Sequence, residues 1–184
     1  MQIFRGDVDR EFFLALVRSS FEARGVFAHG FVLMTTHFHL LATPTSEESL
    51  PNAMRTVGGD YSRYFNQQYG RTGTLWEHRY AGIPIEDESY PLICLRYIEQ
   101  NPVRAKMVND PQSYRWSSYG FHALGHPCDW LSPHPTYLAL GATETERQMA
   151  YRAICAEPVP AAAFVRLKRQ SRLKRRAADL RSGV

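Results

Sequence analysis

Two histidines, two positions apart in the stretch FVLMTTHFHLLATP, are the first residues whose type and spacing suggest chemistry. In an extended chain residues two apart point to the same face, so His37, His39 and Leu41 share one side while Phe38, Leu40 and Ala42 share the other. Two converging imidazoles are either ordinary hydrogen-bonded histidines at a sheet edge or part of a metal or catalytic site, and a third partner is needed to choose. A later stretch, LRYIEQNP, offers one. If it is helical, Tyr97 and Asn101 are four apart and share a face about one turn from each other. That pair also has a plain structural reading: Tyr97 continues an apolar stripe with Tyr90 and Ile93, and Asn before Pro is a common helix stop. Taken with the histidines, however, the set is chemically coherent. Two imidazoles and an amide oxygen make an open site for Mg²⁺ or Mn²⁺, and a phenol beside them is a nucleophile suited to a phosphate polarised by such an ion.

The elements that must position these residues can be read in outline. DVDREFFLALVRSSFEARG opens with acids suited to a helix N-terminus, repeats apolar residues at helical spacing through Phe12, Leu16 and Val17, and stops at Gly25. VFAHGFVLM, Thr35-Thr36 and HFHLLATP predict a β-hairpin closed by Pro44, with the histidines on its second strand. Leu50, Met54, Val57, Tyr61, Tyr64 and Phe65 predict a second helix, bent or weakened at Gly58 and Gly59. RTGTLWEHRYAGIPIED, with Leu75, Trp76, Tyr80, Ile83 and Ile85, predicts a strand or strand pair. DESYPLICLRYIEQNPV predicts a helix capped by Asp87 or Ser89 and ending near Asn101, because Pro102 disfavours helical geometry in the residue before it. An irregular, aromatic-rich segment with one short helix should follow, then a helix over ETERQMAYRAICAEP, and then a basic tail set apart by PVPAAA.

At 184 residues the chain can bury one sizeable core. Cys94, Cys128 and Cys155 are odd in number and lack any paired spacing, which argues against a disulfide framework or a thiolate zinc site and leaves buried thiols. The N-terminus lacks the apolar core of a signal peptide and no apolar run is long enough for a bilayer, so a cytoplasmic protein without a membrane partner is expected. The formal net charge of +4 is polarised: Arg166, Lys168, Arg169, Arg172, Lys174, Arg175, Arg176 and Arg181 face one acid, Asp179, and without this tail the chain would be net acidic. Such a run is either a solvated terminal helix or a surface for phosphate backbones.

His37-Phe38-His39 resembles the His-hydrophobic-His motif of HUH single-strand nucleases, and YFNQQYGRTGTLWEHRY, RYIEQNPVRAKMV and YRWSSY closely resemble the REP-associated tyrosine transposases of the single-tyrosine superfamily. The resemblance runs in order from about Gln2 to about Leu140. It implies an α+β, ferredoxin-like antiparallel sheet with helices packed on one face (the HUH nuclease fold), a divalent ion on His37 and His39 assisted by Asn101, and Tyr97 as nucleophile. It also implies cleavage and joining of single-stranded DNA beside palindromic hairpins through a 5′-phosphotyrosine. Two departures stand out. Thr35 and Thr36 replace the Pro-Asn of relatives, which alters the turn but neither ligand. Relatives also begin with a strand ahead of the segment matching QIFRGDVDREFF, so a sheet one strand short, with an exposed edge, is expected.

These readings divide the chain into an HUH transposase domain over residues 1–125 and an extension with the basic tail over 126–184. Candidate DNA contacts are Arg63, Arg71, Trp76, Arg79, Arg96 and Arg104, together with Lys168, Arg169, Arg172, Lys174, Arg175 and Arg176 of the tail; aromatic faces accept any base and arginine holds phosphate, although Trp76 also suits a core. A monomer or homodimer acting on hairpin-bearing single-stranded DNA is expected. The alternative of a different class is a domesticated or degenerate single-stranded DNA-binding protein without nuclease activity, and a histidine-metal hydrolase using water is a third reading.

Overall fold

In a computed structural model that describes residues 1–77, 80–85, 87 and 90–157, the chain organises around the hairpin. Strands β1 (Val26–Leu33) and β2 (Phe38–Pro44) pair antiparallel, with Val32 opposite His39 and Leu33 opposite Phe38. The turn is closed by Met34 N–H donating to the His37 carbonyl at 2.8 Å, and the amides of Ile3 and Phe4 both donate to the Thr35 carbonyl, at 3.0 and 3.2 Å. The N-terminal segment thereby braces the turn that carries His37.

Alternation along β2 splits the core in two. Phe38 and Leu40 face helices α1 (Asp7–Glu22) and α2 (Ser49–Tyr69), where Phe13, Val17, Phe21, Val57, Tyr61 and Phe65 are buried with Phe31 and Leu33. Leu41 faces the other way with Val32 and Met34, against Cys94, Leu95 and Ile98 of helix α3 (Tyr90–Glu99). Helix α1 starts where Asp9 turns back to accept the Arg5 and Gly6 amides, at 2.6 and 3.1 Å, and the chain leaves it through Gly25 at φ +62°, a left-handed conformation natural to glycine. Helix α2 continues through Gly58 and Gly59 without a break; the Trp76 indole N–H donates to the Gly58 carbonyl at 2.8 Å across the face that the missing side chain leaves open.

At the start of α3 the Tyr90 amide donates to the Asp87 carbonyl at 2.9 Å, and Ser89 lies outside the described residues. Helix α3 ends at Glu99, and one further turn, α4 (Asn101–Arg104), contains Pro102 in its first turn, where its missing N–H is tolerated. A 3₁₀ turn at Pro111–Ser113 and helices α5 (Tyr119–Leu124), α6 (Pro135–Leu138) and α7 (Glu144–Ala156) follow, so the irregular segment holds two short helices rather than one. Tyr119, Ala123, Tyr137, Tyr151 and Cys155 cover the side of α3 turned away from the sheet. The outer edge of β1 is covered too: Leu33 N–H donates to the Trp116 carbonyl, Ser118 N–H to Phe31 and Ser132 N–H to Ala28.

The architecture is α+β, an antiparallel sheet with helices packed on it and short of strands. Helices occupy both faces of the hairpin rather than one. The strand or strand pair expected over residues 71–87 is absent among the described residues there. Its large side chains pack singly, Leu75 into the α1–α2 core and Ile85 against the α3 cluster, and the described backbone gains no ladder partner. Among the described residues no helix is long and apolar enough to cross a membrane.

Close approach of α3 to the hairpin depends on Gly30. A Cβ there would collide with Leu95 and lie 3.1 Å from Ser118 Oγ. Gly30→Ala should therefore cost about 1–3 kcal/mol of stability, the usual penalty of overpacking, read as a lower urea midpoint at unchanged slope.

Candidate active site

Because β2 alternates, His39 emerges on the α3 side of the hairpin, next to Leu41, and α3 crosses that face with Tyr97 over it. The His39 and Tyr97 rings lie with centroids 5.8 Å apart and planes at 79°. His37 precedes β2 rather than belonging to it; its ring meets His39 edge to face at 5.2 Å, and its Nδ1 is hydrogen-bonded to Thr36 Oγ1 at 3.1 Å. Residues separated by almost sixty positions thus form a continuous row of rings, His37–His39–Tyr97. His37 is exposed while His39 and Tyr97 are half-buried, so the row is open to a ligand from solvent at one end and fixed by packing at the other.

Asn101 folds back onto the same helix end, its amide nitrogen donating to the Tyr97 carbonyl at 3.1 Å. The nitrogen being so engaged, the amide oxygen is the atom suited to serve a cation. Arg104 also converges here: its guanidinium carbon sits 4.1 Å from the Tyr97 ring centroid, and one of its nitrogens donates to the Tyr97 carbonyl at 2.8 Å. The sequence marks Arg104 only as a candidate DNA contact, whereas the fold places its guanidinium over the Tyr97 ring. The i, i+4, i+7 spacing of Tyr97, Asn101 and Arg104 already sets the three on one helical face.

The remaining candidates disperse. Arg96 is 7% exposed and donates to the Glu157 carbonyl at 2.6 Å, so it is a buried link and not a surface for phosphate. Trp76 packs near Phe38 and Tyr61 with its N–H committed to Gly58, which makes it part of the α2 layer, on the opposite side of the sheet from Tyr97. Arg63, exposed and paired with Asp60, and Arg71, over the Phe65 ring, belong to α2 and its C-terminal end and do not join the site. Arg79 and the tail residues Lys168, Arg169, Arg172, Lys174, Arg175 and Arg176 lie outside the described residues.

Sequence reasoning passes over Glu99. It stands two positions beyond Tyr97, is wholly buried, and binds His122, a histidine for which the sequence shows no constellation. The one signal was an acid in a helix whose other residues are mostly of buried type.

Compared with protein families, residues 1–101 match the family described as Transposase IS200 like. The chain belongs to the IS200-like transposase family. The matched span holds the hairpin, both histidines, Tyr97 and, as its last residue, Asn101. No curated protein and no solved structure matches the chain. Membership places this transposase-family chain among DNA-processing proteins of transposition and recombination, with DNA as substrate class.

The stacked arginine yields a stability prediction. Arg104→Ala removes a partly exposed cation–π contact and a charge-assisted hydrogen bond, together about 1–2 kcal/mol, and Arg104→Lys should recover less than half of that, since an ammonium lacks the planar face. Denaturant midpoints of the three proteins check it.

Proposed function

We propose that the chain is a metal-assisted single-stranded DNA endonuclease and strand transferase of the REP-associated type, cutting beside short palindromic hairpins and holding the 5′-phosphate on Tyr97. The observation that carries this reading is the approach of the Tyr97 ring to His39, 5.8 Å between centroids, at the packed end of a histidine pair whose other member, His37, is exposed.

The residues present fit a divalent ion. Metal–nitrogen bonds of about 2.1 Å allow two imidazoles on one ion to have centroids up to roughly 6 Å apart. The observed 5.2 Å lies within that span. In the His37 tautomer that donates from Nδ1 to Thr36, the ring's lone pair is on Nε2, an arrangement in which the second partner orients the ligand. Among the described residues no three His, Cys, Asp or Glu side chains group as a metal site, so His37 and His39 would share the ion with oxygens, the Asn101 amide and the DNA phosphate itself. When bound, Mg²⁺ or Mn²⁺ would neutralise charge on the non-bridging oxygens and make the phosphorus a better electrophile.

The chain's own residues supply the rest. Tyr97 forms the new bond from its phenolic oxygen to phosphorus as the bond to the 3′-oxygen breaks; the phenol gives up its proton and the departing oxygen takes one, leaving a 3′-hydroxyl and a 5′-phosphotyrosine. Arg104, over the ring, restrains the phenol, and Asn101 donates to the Tyr97 carbonyl and steadies the backbone beneath it. Because the phosphotyrosine ester is similar in energy to the bond it replaces, a 3′-hydroxyl can reverse the step without a nucleotide cofactor.

Incubation with hairpin-containing single-stranded DNA and Mn²⁺ should produce a protein–DNA adduct that survives denaturation and is absent in Tyr97→Phe, which still binds the DNA. The same adduct in Tyr97→Phe, or cleavage with no adduct, overturns the mechanism; the latter would favour water as nucleophile, and binding without cleavage would favour a degenerate binding protein. In the double variant His37→Ala, His39→Ala, calorimetric Mn²⁺ binding should vanish while the circular dichroism spectrum stays native.

The basic tail supports a nonspecific contribution to affinity. Its removal should flatten the salt dependence of DNA binding, by roughly 0.7 in log–log slope for each phosphate that the tail neutralises. An unchanged slope would return the tail to solvated surface.

A further inference from the structure

Glu99, the last residue of α3, has no solvent exposure, yet it carries a carboxylate. A buried charge costs several kcal/mol unless directional donors satisfy it, and replacing such a group by an apolar side chain is often neutral or stabilising. Stability alone therefore does not account for an acid at this position. Its donors are three: Ser118 Oγ at 2.5 Å and His122 Nδ1 at 2.7 Å on one oxygen, and Tyr151 OH at 2.7 Å on the other. Ser118 directly precedes α5, His122 is within it, and Tyr151 lies on α7. His122 Nε2 is buried without a hydrogen-bond partner, so the histidine accepts a desolvation cost while it serves the carboxylate. Burial, with Glu99 alongside, pushes the Tyr151 phenol well above its ordinary range and keeps it a donor.

The same helix end has two more ties. Arg96 donates to the Glu157 carbonyl at 2.6 Å, and Gln100 donates from its amide nitrogen to the Cys155 carbonyl at 2.5 Å. Arg96, Glu99 and Gln100 bracket Tyr97 in sequence, and all three reach α5, α7 or the residue after α7. In a helix, Glu99 lies roughly 200° around the axis from Tyr97. One side of this last turn thus offers the phenol to the histidines while the other is bolted to structure beyond residue 101, where the family match ends.

We propose that Glu99 is a positioning residue for Tyr97: through Ser118, His122 and Tyr151 it sets the rotation and height of the last turn of α3, so that residues 102–157 govern the placement of the phenol against His37 and His39. Rotation of the helix by a fraction of a turn would swing the phenol away from His39, and the hydrophobic packing of Leu95 and Ile98 resists such a slide far less sharply than hydrogen bonds to both carboxylate oxygens do. The functional part of this inference rests on Tyr97 being the nucleophile; the geometric part does not.

The test uses the full chain with a fluorinated tyrosine at position 97 and two variants, Tyr151→Phe, which removes one hydroxyl and keeps the ring, and Glu99→Gln, which keeps the shape and removes the charge. The expected result is a shifted or broadened ¹⁹F resonance at position 97, a Kd for hairpin DNA within twofold of the parent, and adduct formation at saturating DNA slowed roughly tenfold or more. An unchanged resonance in Tyr151→Phe overturns the inference whatever the rate does, and so does an unchanged adduct rate when the parent is active. If Glu99→Gln fails to fold, Tyr151→Phe alone decides. Should the parent form no adduct at all, the nuclease reading falls, and the resonance still tells whether Glu99 holds the tyrosine in place.

Discussion

The period-two alternation of β2 is the constraint on which the rest of the structure depends. Phe38 and Leu40 must enter the α1–α2 core, and once they do, His39 and Leu41 have no choice but the α3 side. A slip of one residue would bury the imidazole among Phe13 and Tyr61 and turn Phe38 toward Tyr97. The large apolar surface of the α1–α2 layer therefore protects a polar site that it never touches. The bracing of the hairpin turn by Ile3 and Phe4 acts in the same direction, since it fixes the backbone from which His37 projects.

The second requirement is a helix that can approach the hairpin closely. Gly30 supplies the room and Leu95 occupies it, so α3 lies near enough for Tyr97 to meet His39. The bulge next to Gly30 leaves His29 outside the ladder, where its ring binds the Ser132 carbonyl and Thr43 Oγ1, at 2.7 and 2.9 Å, and burial holds its pKa below the ordinary value. That histidine is a structural tie between β1, β2 and the segment before α6, which separates it in kind from His37 and His39.

The family match and the three-dimensional core do not end at the same place. Residues 1–101 carry His37, His39, Tyr97 and Asn101, but Tyr137, Tyr151 and Cys155 close the core on the far side of α3, and without Tyr151 one oxygen of Glu99 would lose its donor. Burial pushes the Cys155 thiol up to about 12, with Glu99 adding to the effect, so this cysteine behaves as an inert core residue.

What the sequence by itself determined was the set of local elements and their polarity: α1 from its apolar spacing and Gly25, the hairpin from its β-formers, α2 across its two glycines, the end of α3 near Asn101, and α7 over the stretch that begins at Glu144. These are dictated by short-range sterics, caps and periodicity, all of which act within a few residues. It also put His37 near His39 and Asn101 one turn from Tyr97, because i,i+2 and i,i+4 geometry is local, although His37 falls just before β2 and Asn101 just past α3. Only the tertiary structure decided which side chains those residues would meet. Leu75 through Ile85 alternate like a strand yet pair with nothing described, since a ladder needs a partner edge that periodicity cannot provide. Arg96, Glu99 and Arg104 look alike as polar residues on one short stretch, but one is buried against Glu157, one is buried against His122 and one lies over Tyr97. The fates of Arg96 and Glu99 depend on partners 61 and 23 residues further along, and no local rule carries that information.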